Sequence, residues 1–191
     1  MSKIILISGQ QGAGKTTLAE RLWDHFWDEK AKKGAVRLKF ADPLYAMQEA
    51  INDIMRDHKV SMPEKDGTLL QLLGTEWGRK VKGDDIWVKI LKRQVERYEL
   101  QGAGLFIIDD CRFKNEFDAF PDALRIRLKA SEEVRKTRTH SWRENTGHAS
   151  EVNLDDIESQ FELVIDTGTS TKDETFKKVI DLFNLKFSEQ I

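Results

Sequence analysis

The residues most clearly suited to chemistry form a glycine-rich run that ends in a lysine and a threonine. The run reads Gly9-Gln10-Gln11-Gly12-Ala13-Gly14-Lys15-Thr16. Glycines at this spacing let the chain wrap so that backbone N–H groups point at phosphate oxygens, while the lysine reaches the outer phosphates and the threonine hydroxyl binds Mg²⁺. We therefore predict that ATP and Mg²⁺ bind here, with nucleotide contacts from Gly9, Gln11, Gly12, Ala13, Gly14, Lys15, Thr16 and Thr17.

Two acidic residues stand at the end of another apolar run. Asp109 and Asp110 directly follow residues 105–108, which are Leu, Phe, Ile and Ile. In a P-loop fold, a carboxylate at this place holds Mg²⁺ directly or through water. The pattern predicts Thr16 and Asp109 as metal ligands and Asp110 as a catalytic residue. It does not separate the roles of the two aspartates, and capping of the next helix is the alternative for Asp110.

Five short apolar runs predict the strands that must position these residues. The first and third lack polar alternation, which is typical of parallel strands buried on both faces. Stretches with helical spacing lie between the runs, as Leu18, Leu22 and Phe26 illustrate. We therefore predict an α/β, three-layer P-loop NTPase fold with a five-stranded parallel sheet flanked by helices. The runs are residues 4–7, 36–40, 105–108, 124–128 and 161–165.

The spacing of the runs also divides the chain, which we expect to form a single domain over residues 1–191. Residues 42–101 carry more helical pattern than one crossover connection needs, so they predict a helical insertion that projects from the sheet, and the family resemblance described below implies that this insertion binds the acceptor. Residues 131–153 contain several Arg and His but few aliphatic side chains, which is typical of a mobile lid. The predicted core is residues 1–41, 102–130 and 154–191.

Composition excludes several classes of protein. Against 33 acidic residues the chain has 31 Lys and Arg, a net charge of −2, so we expect no stable complex with nucleic acid. A lone cysteine, Cys111, excludes an internal disulfide framework and a cysteine-based zinc site. The apolar run near the first residue is too short for a signal peptide or a membrane span. We expect a cytoplasmic protein with no membrane partner.

Several further segments, in order along nearly the whole chain, resemble the phage-type deoxynucleoside monophosphate kinases, within the nucleoside monophosphate kinase group of P-loop proteins. The segment after the second run has the family's Phe-Ala-Asp-Pro-Leu pattern, and a later one has its Leu-Gln-x-x-Gly-Thr-Glu pattern with an arginine one turn on. The matching segments are 40–44, 70–79, 85–88, 110–116 and 148–151. One departure is Asp166-Thr167-Gly168-Thr169, where such kinases often have Asp-Asn before a glycine.

This resemblance implies ATP-dependent phosphorylation of a deoxynucleoside 5′-monophosphate to the diphosphate. Transfer of a phosphoryl group builds up negative charge, which arginine forks can grip. The resemblance implies catalytic roles for Lys15, Arg79, Asp110, Arg112 and Arg138. It implies acceptor contacts from Phe40, Asp42, Gln71, Thr75, Arg79, Trp87, Arg112 and Glu151. Further ATP contacts are expected from Arg135 and Thr169.

Alternatives remain open at this stage. A P-loop kinase that phosphorylates a hydroxyl would need a carboxylate base, and Asp42 or Asp110 is suited to that role. A nucleotide-dependent switch that binds a protein partner is a third possible function. Independently of the function, the chain could form a homodimer. Two single residues also have a structural alternative. Arg79 could pair with Glu76 on a helix surface, and Trp87 could pack in the core.

Overall fold

The computed structural model describes residues 2–28, 34–139 and 154–188. Within these ranges five strands form one sheet in the order β2-β3-β1-β4-β5, with every neighbouring pair parallel. The strands are β1 (Lys3–Gly9), β2 (Val36–Leu38), β3 (Leu105–Cys111), β4 (Leu124–Lys129) and β5 (Leu163–Asp166). The α/β prediction of a five-stranded parallel P-loop sheet is therefore confirmed.

Helices connect the strands in chain order. Seven α-helices are described: α1 (Lys15–Phe26), α2 (Asp42–Asp57), α3 (Gly67–Gln71), α4 (Ile86–Leu100), α5 (Lys114–Asp118), α6 (Glu132–Thr137) and α7 (Lys172–Phe187). A π-helix spans Leu72–Lys82 and a 3₁₀ helix spans Asp155–Gln160. In the described part of the chain, no helix has the length and apolar character to cross a membrane.

Two hydrophobic clusters cover the two faces of the sheet. On one face, α1 and α7 pack through residues such as Leu22 and Phe183 against Ile5 and Ile107. On the other face, α4 packs through residues such as Leu91 against Leu6 and Ile108 of the sheet. Helices on both faces produce the predicted three layers, and they leave the carboxyl ends of the strands open for a ligand.

Two strands are shorter or shifted relative to their apolar runs. The second run predicts a strand over residues 36–40, but β2 ends at Leu38 because the Phe40 N–H donates to the Asp110 carboxylate and not to a strand ladder. The fifth run predicts 161–165, but β5 begins at Leu163 because the Phe161 N–H caps the 3₁₀ helix by donating to the Glu158 carbonyl.

Between β2 and β3 lie α2, α3, the π-helix and α4, within the predicted insertion at residues 42–101. Helix α2 begins with an Asp-Pro pair, a position where proline needs no N–H partner. In the π-helix, Gly78 faces Trp87 of α4 so closely that a Cβ atom would overlap the indole ring. Gly78 therefore lets the π-helix pack directly on α4, while a Cβ atom on Gly74 would come within 3.1 Å of Leu44 on α2.

The predicted lid at residues 131–153 is described only as far as residue 139. Its first part forms α6, whose N-terminus is capped by the Ser131 hydroxyl as it accepts from the Val134 N–H. Residues 140–153, with the predicted acceptor contact Glu151, lie outside the described ranges.

Candidate functional site

The glycine-rich loop joins the carboxyl end of β1 to the first turn of α1. Gly9, Gly12 and Gly14 adopt φ values of 147°, 77° and 93°, a region that L side chains rarely enter. Gly14 is the N-cap of α1, so the first N–H groups of that helix face the loop. The backbone therefore forms the phosphate-binding cradle that the sequence predicts.

Lys15 lies across this loop. Its ammonium donates to the carbonyl oxygens of Gly9 at 2.6 Å and Gln10 at 2.9 Å. These carbonyls hold a positive charge at the mouth of the cradle, where the outer phosphates of a nucleotide would lie.

A cavity of about 480 Å³ opens beside the loop. Predicted nucleotide contacts Gly12, Gly14, Thr16 and Thr17 line it, together with the predicted catalytic residue Arg138. Predicted contact Thr169 is not among its lining residues, and the Thr169 hydroxyl donates to the Asp166 carbonyl. The remaining lining residues are Leu18, Arg21, Leu128, Thr139, Thr167, Ser170, Lys172 and Thr175.

Arg138 contacts Thr167, which the sequence analysis quoted only as part of the departure at residues 166–169 and to which it assigned no role. The guanidinium donates to the Thr167 hydroxyl at 2.9 Å and to its carbonyl at 2.8 Å. That hydroxyl lies 3.0 Å from the carbonyl oxygen of Ala13 in the glycine-rich loop. The only sequence signal for Thr167 is its place directly after the fifth strand, where parallel sheets bind ligands.

Arg135, the predicted ATP contact in the lid, lies beneath the loop. It is only 5% exposed, and its guanidinium donates to the carbonyl oxygens of Gln11 and Ala130, each at 3.2 Å. A Cβ atom on Gly12 would come within 2.7 Å of the Arg135 carbonyl oxygen. Arg135 and Gly12 thus set the height of the loop above α6.

Asp109 pairs with a partner that sequence reasoning missed. One of its carboxylate oxygens, Oδ2, accepts from Nη2 of Arg37 at 2.6 Å, and its side chain is 2% exposed. The other, Oδ1, is buried and has no hydrogen-bond partner among the described residues. An unsatisfied carboxylate oxygen on the strand beside the loop is a ligand that Mg²⁺ prefers, so Asp109 and the Thr16 hydroxyl fit the predicted metal site.

Asp110 binds the backbone at the start of the insertion. Its two carboxylate oxygens accept the N–H groups of Phe40 at 2.9 Å and Ala41 at 3.0 Å. Burial, with the Asp109 charge as a smaller contribution, raises the pKa of Asp110 to about 6 although both hydrogen bonds oppose the shift. Asp110 therefore fixes the backbone just before α2. It does not cap α5, the helix that follows β3, because Glu116 accepts the Phe113 N–H there.

A second cavity, of about 410 Å³, lies beyond the carboxyl end of β3. It brings together two predicted acceptor contacts, Thr75 and Arg79, which lie one turn apart on the π-helix. The other lining residues are Lys80, Asp84, Phe113, Lys114 and Asn115. Three of these seven side chains are cationic, and Lys80 and Lys114 form ion pairs with exposed carboxylates one turn away on their own helices.

Arg79 is buried and held on several sides. Nη2 donates to Oε1 of Glu116 at 2.5 Å, and Nη1 donates to the Asp84 carbonyl at 2.8 Å. The guanidinium carbon lies 3.8 Å from the centre of the Phe113 ring. The alternative that Arg79 pairs with Glu76 is wrong, because Glu76 pairs with Lys80 on the outer side of the π-helix.

Glu116, which the sequence analysis quoted only as part of a motif, is 3% exposed. Burial, followed by the Asp110 charge, raises the pKa of Glu116 to about 7. Arg79 and the backbone N–H groups of Arg112 and Phe113 oppose this shift by stabilising the ionised form.

The other predicted acceptor contacts are spread around the insertion. Trp87 is 3% exposed in the core, and its indole N–H donates to the Gly74 carbonyl at 2.9 Å. Phe40 is also a core residue. Asp42 accepts from the Lys39 N–H at 2.8 Å, and burial raises its pKa. Gln71 is exposed and does not line the second cavity.

Among the described residues, no group of three or more His, Cys, Asp or Glu side chains is placed to hold a metal ion. A resident metal held by protein side chains alone is therefore not seen in this part of the chain. The pair of Thr16 and Asp109 matches the other arrangement, in which nucleotide phosphates and waters supply most of the ligands to Mg²⁺.

Comparison with known proteins supports the description of the fold. Residues 5–159 match the protein family described as AAA domain. No curated protein sequence matches the chain. Among solved structures, a sugar kinase from Janibacter sp. is 15% identical, with 95% of this chain and 94% of that chain covered at a TM-score of 0.58. Shikimate kinase from Aquifex aeolicus is 13% identical, with 95% and 96% covered at a TM-score of 0.50. At these identities the likeness shows a common fold.

Proposed function

Because the chain belongs to the AAA domain family and has a P-loop kinase fold, we propose that it is an ATP- and Mg²⁺-dependent kinase of deoxynucleoside 5′-monophosphates. Its product would be the diphosphate, the precursor of a deoxynucleoside triphosphate. The donor side of the reaction rests on the glycine-rich loop and the cavity beside it. The acceptor side rests on the second cavity.

The observation that carries this proposal is the cationic lining of the second cavity. Arg79, Lys80 and Lys114 surround it, whereas the lining carboxylate, Asp84, lies 3.3 Å from a nitrogen of Arg79. A fixed guanidinium flanked by two lysines suits an acceptor that carries a phosphate group. Such an acceptor attacks through an oxygen that is already ionised, so the cavity needs no proton acceptor.

The position of this cavity also suits transfer from the loop. Phe113, Lys114 and Asn115 directly follow β3, and the glycine-rich loop directly follows β1. These two strands are neighbours in the sheet and run parallel. Their carboxyl ends therefore meet at one edge, where donor and acceptor would face each other.

On the donor side, Lys15 and Arg138 would neutralise the charge that builds up on the transferred phosphoryl group. Thr16 and Asp109 would hold Mg²⁺, which would supply positive charge to offset the charge of the donor phosphates. Arg135 supports the loop from below, and we propose that its role in ATP binding is indirect. Arg112, whose backbone N–H is bound by Glu116, follows β3 at the same edge and would contact the acceptor phosphate.

Phosphorylation of a hydroxyl is the second candidate, and Asp42 is the residue that favours it. Burial raises the pKa of Asp42, which makes the carboxylate a better proton acceptor. One of its oxygens accepts the Lys39 N–H, which leaves the other for a substrate. Asp110 suits this role less, because both of its oxygens accept backbone N–H groups.

A coupled assay of ADP formation against a panel of ribo- and deoxynucleoside monophosphates, with the matching nucleosides, tests the proposal. We expect ADP to form only when a deoxynucleoside monophosphate is added, and Lys15→Met to abolish the reaction. Equal ATP consumption with and without every monophosphate would contradict it. Turnover of a nucleoside that is lost in Asp42→Asn, with acceptor binding intact, would instead favour the hydroxyl kinase.

A further inference from the structure

We propose that Glu116 is the positioning residue of the acceptor site, because one buried carboxylate holds both Arg79 and the backbone from which Arg112 projects. This inference rests on the proposed function, in which these two arginines bind the acceptor phosphate. Glu116 itself does not line the cavity, so it acts through its neighbours.

Both oxygens of Glu116 are in use. Oε1 accepts from Nη2 of Arg79 at 2.5 Å, while Oε2 accepts the N–H groups of Arg112 at 2.8 Å and Phe113 at 3.1 Å. With Glu116 at 3% and Arg79 at 9% exposure, water does not compete for these bonds. Above the Glu116 pKa of about 7 the pair with Arg79 is charged, and a charged, buried hydrogen-bonded pair fixes geometry more strongly than a surface pair does.

The remaining contacts of Arg79 complete a rigid frame. Asp84 and Asn115 accept from its other terminal nitrogen, and the Phe113 ring stacks against the guanidinium. Glu116 also joins two elements, because Arg79 lies on the π-helix and Arg112 lies directly after β3. The carboxylate therefore sets the distance from the Arg79 guanidinium to the backbone of Arg112 before any acceptor arrives.

This distance matters because two guanidinium groups can grip one phosphate only when their spacing matches its oxygens. Binding energy is lost when either group must first move or reorganise, and small misplacements in such sites lower rates strongly. Loss of the Glu116 charge would therefore weaken acceptor binding while it leaves the glycine-rich loop and the donor unchanged.

The test, at pH 8 so that Glu116 is ionised, compares Glu116→Gln and Glu116→Asp with Glu49→Gln, which removes an exposed partner of Arg56 on α2, away from both cavities. Calorimetric titration measures the Kd of a deoxynucleoside monophosphate and, separately, of ADP. We expect Glu116→Gln to raise the monophosphate Kd by about tenfold or more and the ADP Kd by less than about twofold. Glu116→Asp, which keeps the charge, should recover part of the loss, and Glu49→Gln should change neither Kd.

A second measurement separates positioning from general damage to the fold. In an Arg79→Met background, the extra loss from Glu116→Gln should be smaller than in the wild type, because the contact between Arg79 and Glu116 is already gone and only the contact with the Arg112 and Phe113 backbone remains. Additive losses in the double variant, or equal losses for the monophosphate and ADP, would overturn the positioning role. If the wild-type protein bound no monophosphate at all, the proposed function and this inference would both fail. Wild-type binding that Glu116→Gln leaves unchanged would overturn this inference alone.

Discussion

Asp109 and Asp110 are adjacent in sequence but bind partners on different elements. Asp109 pairs with Arg37 in the middle of β2, whereas Asp110 accepts the N–H groups of Phe40 and Ala41 ahead of α2. The register between β1 and β3 shifts at this point, because Leu6 lies opposite Ile108 while Ser8 lies opposite Cys111. β3 thus has one extra residue here relative to β1, and because successive side chains of a strand point to opposite faces, the two carboxylates reach different partners.

Asp109 and Asp110 therefore differ in the roles that they can play, which the sequence alone did not distinguish. Asp109 retains a buried oxygen without a partner among the described residues and lies on the strand beside the glycine-rich loop. Asp110 uses both oxygens to fix the entrance to the insertion. Irregularities in strand pairing often occur next to active sites, where they redirect a side chain.

Gly12→Ala should disrupt the glycine-rich loop. The φ of 77° is strained for alanine, and its Cβ would lie 2.7 Å from the Arg135 carbonyl oxygen, so the loop must move away from α6. We expect the Kd for ATP, measured by calorimetry, to rise by about tenfold or more. Gly104→Ala is the matched control, because a Cβ there meets no atom within 4 Å. Unchanged ATP binding in Gly12→Ala would show that the loop does not depend on this close approach.

Arg37→Met should destabilise the protein because it leaves the buried charge of Asp109 without its partner. The side chain of Arg37 is 23% exposed, so we expect a loss of about 2–3 kcal/mol, somewhat less than for a fully buried pair. Arg56→Met removes an exposed arginine that pairs with Glu49 and Asp53, and it should cost much less stability, because an exposed ion pair is screened by solvent. Urea unfolding of both variants checks the difference. Equal losses would show that the pair of Arg37 and Asp109 stabilises the fold no more than an exposed ion pair does.

Thr16→Val should raise the Mg²⁺ concentration that gives half-maximal ATP turnover by about tenfold, because it removes the hydroxyl predicted to bind the ion. Thr16 is exposed, so the melting temperature should not change. Thr16→Ser keeps a hydroxyl and should behave as the wild type. If Thr16→Val and the wild type needed the same Mg²⁺ concentration, Thr16 would not be a ligand.

Local features of the sequence were sufficient to predict the sheet and the loop. Apolar runs of strand length mark each strand, and the spacing of Gly9, Gly12 and Gly14 encodes the positive φ values of the cradle. Both features depend on residues close together in the chain. Arg138 lies beside the loop, but its contact with Thr167 depends on the distant fifth strand, so its catalytic role stays a prediction.

Long-range pairs were not predictable in this way. Arg79 has a near neighbour of opposite charge in Glu76, yet it pairs with Glu116, 37 residues further on, because the π-helix turns it toward the end of β3. Arg135 lies in the arginine-rich stretch that predicts a lid, but its guanidinium is buried beneath the loop. A charge pattern shows which residues are cationic, whereas the tertiary fold decides which of them face solvent.

Trp87→Phe should lower stability more than it changes acceptor binding. The indole N–H donates to the Gly74 carbonyl, and its ring packs against Gly78, so the smaller ring leaves a buried carbonyl unsatisfied and a gap beside the π-helix. We expect a loss of about 2–3 kcal/mol in urea unfolding. Trp77→Phe changes a tryptophan that is 39% exposed and should cost much less. A large rise in the acceptor KM with unchanged stability would instead assign Trp87 to the substrate.

Glu116 should make the stability of the protein depend on pH with a definite sign. Burial and the Asp110 charge raise the pKa of Glu116 from 4.5 to about 7 in the folded protein. Between these values the folded state keeps a proton that the unfolded chain has released, so the free energy of unfolding falls as the pH rises. A shift of this size corresponds to about 3 kcal/mol, fully present below pH 4.5 and lost once the pH exceeds the folded pKa.

Glu116→Gln removes this titration, so urea unfolding at several pH values should isolate it. The free energy of unfolding of the wild type, minus that of Glu116→Gln, should be largest near pH 4.5 and should decline toward pH 7. Glu76→Gln, on the exposed side of the π-helix, should differ from the wild type by the same small amount at every pH in this range. A difference for Glu116→Gln that grew with pH would mean that the ion pair with Arg79 outweighs burial, so that ionised Glu116 stabilises the fold.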